Sequence, residues 1–249
     1  FNLLAQLPGG DIDGDLVYAL AESPQIDLTF DTERLDLDQL QPAGSASSRS
    51  ETSPNPQAPP IPVPVGPLRN LDMRLAVTAN ALLSAGQEVT SAQLLLRVVD
   101  GISNLEYLRG VLHEGQLETA MVIDVRDPKQ AEVTVAGSLK GVELNSLLTS
   151  FGSADMAIGT VDMDWDLATE GLTTEDLQRR LEGDLNVAGR SVEITAASAQ
   201  AFMCTAIAQI NQETLSSTMP ATTKVSDLAM TVTFDEGKAI LDDLAIATP

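Results

Sequence analysis

The chain has 249 residues, 36 of them acidic against 14 basic, for a formal charge of −22. That balance argues against nucleic acid, which needs clustered Lys and Arg to neutralise its phosphates, and against adhesion to an anionic bilayer. A mean hydropathy of +0.05 at such a charge requires apolar residues to be segregated from charged ones, as they are on strands with one apolar face and one wet face.

In chain order, Asp15 to Ala21 and Ile26 to Phe30 read as strands, and Leu35 to Leu40 as a helical turn or short helix. Gln41 to Pro67 has no apolar period. It is Ser-rich, then Pro-rich, and reads as a disordered linker or insertion. Five long strands follow: Leu71 to Ala79, Val89 to Val99, Leu105 to His113, Gln116 to Arg126 and Ala131 to Leu139. Glu114-Gly115 predicts a hairpin turn and Asp127-Pro128 a reversal. Short helices are predicted at Glu143 to Phe151 and Thr174 to Arg180, the latter with Glu175 and Asp176 in its first turn. Glu182 to Gly189 reads as a strand and Ala196 to Gln212 as a helix. Val225 to Phe234 and Ala239 to Ala247 read as a hairpin about Asp235-Glu236-Gly237-Lys238. A weak repeat of strand, turn and acidic-Leu start recurs at Leu28, Val133 and Leu185. It suggests a modular sheet that grows along one axis.

Candidate chemistry is sparse. The lone cysteine, Cys204, lies among apolar neighbours and reads as a buried thiol. The lone histidine, His113, lies beside a turn, which argues against a His-based triad or metal centre. Val161, Met163, Trp165 and Leu167 share one face of a strand; Asp162, Asp164 and Asp166 share the other. Carboxylates spaced by two strand residues stand about 7 Å apart, too far for one ion to bridge unaided, so the acidic face reads as solvated. No phosphate loop is present, and no apolar run approaches the ~20 residues that span a bilayer. Phe1 in place of an initiator Met points to a piece of a longer chain, with any targeting segment upstream.

The run Phe202-Met-Cys-Thr-Ala-Ile-Ala-Gln-Ile-Asn-Gln-Glu-Thr-Leu215 resembles the C-terminal signature of the AsmA family. So do Thr223-Lys-Val-Ser-Asp-Leu228 and Gly237-Lys-Ala-Ile-Leu-Asp-Asp-Leu244, with Val225 where the family more often has Phe. The resemblance covers roughly Leu68 to Pro249. It implies a bridge-type lipid-transfer protein of the Gram-negative envelope: periplasmic, anchored in the inner membrane by an N-terminal helix absent here, and tied to outer-membrane lipid homeostasis and assembly.

The expectation is therefore a mainly β protein with a few short helices (α+β). Long amphipathic antiparallel strands form a strongly twisted or curled sheet with an apolar groove. Residues 1–41 end a preceding β module or begin the same array, 42–67 form the linker, and 68–249 form the groove domain. Leu71, Met73, Leu75, Val133, Val135, Val161, Met163, Trp165 and Leu167 are the expected groove lining, with closed-core packing as the alternative for each. The partner is a phospholipid or other acyl lipid, whose chain gains about 0.8 kcal/mol for each buried methylene. No enzymatic activity, cofactor or metal is expected. The alternative is a structural or assembly module with a dry core that docks other envelope proteins.

Overall fold

A computed structural model describes residues 2–7, 9–19, 25–39, 67–70, 72–150, 152, 157–194 and 223–247. The expected linker (save Pro67), the expected helix Ala196 to Gln212 with Cys204, and Leu71 lie outside the described residues.

Twelve strands form one sheet whose spatial order is the chain order: β1 (Asn2–Leu7), β2 (Gly10–Ala19), β3 (Gln25–Asp36), β4 (Asp72–Ser84), β5 (Gln87–Val99), β6 (Ile102–Leu112), β7 (Gly115–Asp124), β8 (Glu132–Glu143), β9 (Ala157–Glu170), β10 (Glu182–Ile194), β11 (Thr223–Asp235) and β12 (Lys238–Ala247). The sheet is not closed, because β1 and β12 are its two edges. Two short helices, α1 (Leu144–Ser150) and α2 (Thr174–Arg179), and one 3-10 turn at Pro67–Asn70 complete the described elements.

Hairpin chemistry sets much of the order. Ala85-Gly86, Asp100-Gly101, His113-Glu114 and Glu236-Gly237 each place two successive residues at positive φ, as tight two-residue hairpins of matching twist require. The first of the two expected Glu-Gly turns is displaced by one residue. Ladder pairing of Leu112 with Gly115 puts His113 and Glu114 at the tip, and a Cβ on Gly115 would come 2.8 Å from Val142 Cα. Glycine there serves close packing of strands.

Three expectations are corrected. The sheet is mixed, because β3 pairs with β4 in parallel, Leu28 opposite Leu75 and Phe30 opposite Val77. Parallel neighbours need a connection of about a dozen residues or more, and the stretch between Asp36 and Asp72 is the only one between β3 and β4. Leu35 and Asp36 belong to β3 rather than to a helix. Leu35 is buried at 4 % exposure, and the Asp36 carboxylate accepts hydrogen bonds from the backbone N–H groups of Asp38 and Gln39, closing a turn in place of a helix. β1, not expected from the sequence, adds an edge strand to β2, Leu3 opposite Gly14 and Ala5 opposite Ile12.

Closed packing concentrates where α1 lies against β8 and β9. Leu144 joins Leu139, Val142, Ala157, Val161, Val192 and Leu228 in one buried cluster, with Leu147 and Leu148 packed on it. Leu35, Val77, Ala79, Leu82, Val89 and Ala92 form a second cluster. Leu112 and Leu117 pack on both. Three of the ladder irregularities fall at the same strand ends: Ser91, Gly141 and Ser191 all have positive φ, next to register shifts in β5, β8 and β10. Such bulges bend a strand and sharpen its twist.

Candidate functional site: one apolar face of an open sheet

Register decides which residues can act together. One line of directly opposed residues runs Leu28, Leu75, Leu96, Leu105, Met121, Val135, Leu167, one from each strand β3 to β9. All seven are half-buried. Six inter-strand steps of ~4.8 Å make this line roughly 29 Å long. A second line runs Leu117, Leu139, Met163, Val187, Met230, Leu244 from β7 to β12. Only Leu139 in it is fully buried, at 4 % exposure; the others are half-buried.

The alternating residues carry the charge. Arg74 pairs with Asp27 at 3.1 Å, Arg97 with Glu106 at 2.5 Å, Arg109 with Glu118 at 3.0 Å and Lys140 with Asp164 at 2.6 Å. Strand alternation sends these side chains to the opposite surface from the two lines. Of the three aspartates opposite Trp165, Asp164 is thus answered by Lys140. Asp162 receives Arg190 at 3.3 Å and the Gly141 N–H at 2.7 Å.

The expected lining residues divide between two environments. Leu75, Val135 and Leu167 stand in the first line, and Met163 in the second. Met73 and Val133 occupy the neighbouring row, linked through Val98, Ser103 and Ile123. Trp165 lies between the two lines, opposite Gly137 and Leu185. All seven are half-buried. Val161 is 2 % exposed inside the cluster under α1; Met163 and Trp165 pack against that same cluster, Leu75 against the second and Leu167 against one formed by Val232, Phe234 and Ala239. Leu28, Leu96, Leu105, Met121, Val187 and Met230 share the face and were not singled out from sequence. Alternation within Leu105 to His113 and Gln116 to Arg126 marked those strands, but only cross-strand register shows which of their residues continue a line.

His113 has a structural part. Its Nδ1 lies 2.8 Å from Ser146 Oγ on α1 and its Nε2 2.8 Å from Gln87 Oε1 at the start of β5. Its carbonyl accepts the Glu143 N–H at 2.9 Å, and the Glu143 carboxylate accepts the N–H groups of Asn145 and Ser146. The turn, the helix start and β5 are thereby tied together. Among the described residues no three His, Cys, Asp or Glu side chains converge to hold a metal ion, and no helix is long and apolar enough to cross a membrane.

The fold and this face define a class: a long, open, mixed β-sheet with continuous apolar lines crossing its strands. The chain matches the model of the AsmA family over residues 4–244 and belongs to that family. No curated protein and no solved structure matches it.

Proposed function

We propose that this chain is a non-catalytic lipid-handling segment of the Gram-negative cell envelope. In this reading the half-buried lines form an apolar groove that shields phospholipid acyl chains between the inner and outer membranes and supports outer-membrane lipid homeostasis. The protein stands in the periplasm and is held to the inner membrane by an N-terminal anchor. AsmA membership over nearly the whole chain is compatible with such a role. The observation that carries the reading is the unbroken line from Leu28 to Leu167 on a sheet that does not close.

The energetic argument is simple. Moving each methylene into water costs about 0.8 kcal/mol, so a sixteen-carbon chain faces more than ~10 kcal/mol. An apolar path removes most of that barrier with no bond made or broken. The test is native mass spectrometry of the purified chain, followed by lipid extraction. Bound phospholipid near integer stoichiometry, lost in Val135→Asp and Met163→Asp, is the expected result. Protein that carries no lipid and takes up no fluorescent acyl analogue sinks the reading.

A second reading, a structural module for envelope assembly, draws on the buried clusters of the sheet, one of them under α1. There the sheet is packed as a closed core. A lipid-free protein would make that reading the leading one.

A further inference from the structure

One polar side chain interrupts the apolar face. Ser103 stands in the row beside the Leu28–Leu167 line, between Val98 and Ile123 and two residues along β6 from Leu105. Strand alternation puts it on the same face as Leu105. At 5 % exposure it is the one buried polar residue among those described, and its hydroxyl has no hydrogen-bond partner there. Two other hydroxyls on that face are satisfied within the fold. Thr119 Oγ1 donates to the Ala136 carbonyl at 3.1 Å, and Thr169 Oγ1 to the Leu177 carbonyl at 2.6 Å. A buried hydroxyl left unpaired costs stability that an alanine in its place would not.

The surroundings define the partner that the hydroxyl lacks. Along its row stand Met73, Val98, Ile123 and Val133, all aliphatic or Met. No charge is present in that row to hold an ionised group, so a neutral acceptor fits and a carboxylate does not. Leu105 and Ile123 are half-buried, which leaves the hydroxyl one side chain below the accessible part of the face. Around and beyond it the sheet is closed. Val98 is 1 % exposed and Val125 0 %. The 3-10 turn at Pro67–Asn70 lies against β6, with Arg69 donating to the carbonyl oxygens of Val125 and Asp127 at 2.7 and 3.1 Å. Along the strand direction the accessible face thus stops at a hydrogen-bond donor.

We propose, on the lipid-handling reading, that Ser103 donates its O–H to an ester carbonyl of the bound acyl lipid and so fixes where the lipid stops on the face. The acyl chain lies along Leu96, Leu105 and Met121, and the ester turns one row aside, a step of ~7 Å along the strand. The side chains of Leu105 and Ile123 rotate to admit it. An ester carbonyl is the uncharged acceptor that a diacyl lipid carries at the root of its chains, and it satisfies the hydroxyl without bringing charge into the row.

The experiment offers the full chain vesicles with equal amounts of ester-linked and ether-linked phosphatidylcholine of the same chain length. The two share a headgroup and differ in the carbonyl oxygens. The protein is reisolated and its lipid identified by mass. The ester form is expected in at least about threefold excess, as one net hydrogen bond gives. Ser103→Ala brings the ratio near one and leaves loading of the ether form unchanged. Its urea midpoint without lipid is unchanged or higher, because the hydroxyl has no partner to lose. Equal loading by the native chain, or an ester preference that survives Ser103→Ala, overturns the Ser103 inference and leaves lipid handling standing. So does a lowered midpoint, which would mean that the hydroxyl is bonded within the fold. Loading of neither lipid sinks both.

Discussion

Trp165 on β9 stands directly opposite Gly137 on β8, and a Cβ on Gly137 would come within 2.6 Å of Trp165 Cζ2. The indole lies across its partner strand because that strand has no side chain there. Glu118 O and Thr119 Oγ1 crowd the same point at 2.7 and 2.8 Å. Gly137→Val therefore displaces the ring and costs about 1–3 kcal/mol, as overpacking does. Urea unfolding measures the loss. Trp165 is the only tryptophan, so a shift in native emission reports the displaced ring directly.

The two environments of the apolar residues differ in energetic terms. Leu139→Ala empties a position 4 % exposed in the cluster under α1 and costs about 2–5 kcal/mol. Leu75→Ala, at a half-buried position, costs less, yet it interrupts the line from Leu28 to Leu167. Comparing urea midpoints with lipid content in the two variants separates stability from loading. Equal destabilisation by both would mean that the line is as tightly packed as the cluster.

Helix α2 depends on Thr173. Its hydroxyl accepts the Asp176 N–H at 3.1 Å and donates to the Asp176 carboxylate at 2.7 Å. Thr173→Ala costs about 1 kcal/mol, with Thr173→Asn recovering most of it. The readout is the urea midpoint, together with amide exchange at the N-terminus of α2.

The same bond gives a pH dependence. The Asp176 carboxyl is held below its usual value chiefly by the Thr173 hydroxyl, and Asp124 is held low chiefly by its side-chain bond to Arg126. A carboxyl whose pKa is depressed on folding adds stability that is full above its unfolded value, near 3.8. That contribution is lost as pH falls through the folded value. Stability should thus drop below about pH 4, and Asp124→Asn should flatten that acid limb. Urea midpoints from pH 7 to 3 check it.

Self-repulsion predicts the opposite trend with salt. Asp13 and Asp31 are cross-strand partners on one surface of the β2–β3 ladder, and like charges directly opposed destabilise a sheet. Asp31→Asn should raise stability by a few tenths of a kcal/mol at low salt, and the gain should shrink as ionic strength rises. Thermal melts at two salt concentrations suffice.

Most strands were legible because their apolar and polar residues alternate, as in Val161 to Leu167. The Glu236-Gly237 turn was legible in place, the Glu114-Gly115 turn was displaced by one residue, and the Asp100-Gly101 turn was not singled out. The parallel β3–β4 pair was not, since alternation looks the same in either direction and the partner lies beyond a long intervening stretch. Leu35 misled because an acidic-Leu pattern suits a helix start as well as a strand end, and only its burial beside Leu82 decides between them. Positive φ at Ser91 and Ser191 had no glycine to announce it. The eight expected lining residues within the described structure were chosen by strand alternation alone. The line that continues through the three strands between them, β5 to β7, was hidden, because register is a relation between strands.

The β3–β4 seam has a consequence for how the chain is held together. Every other described junction between sheet neighbours is antiparallel. At the seam the ladder runs from Gln25–Asp72 to Asp36–Leu83 in parallel, so the covalent link leaves from one end of the ladder and returns at the other. The adhesion of β1–β3 to the rest resides in the ladder and in Leu35 and Phe30 packing against β4. Two separately made polypeptides, residues 1–39 and 67–249, should therefore reassemble as a split protein. Leu35→Asp would abolish that complementation.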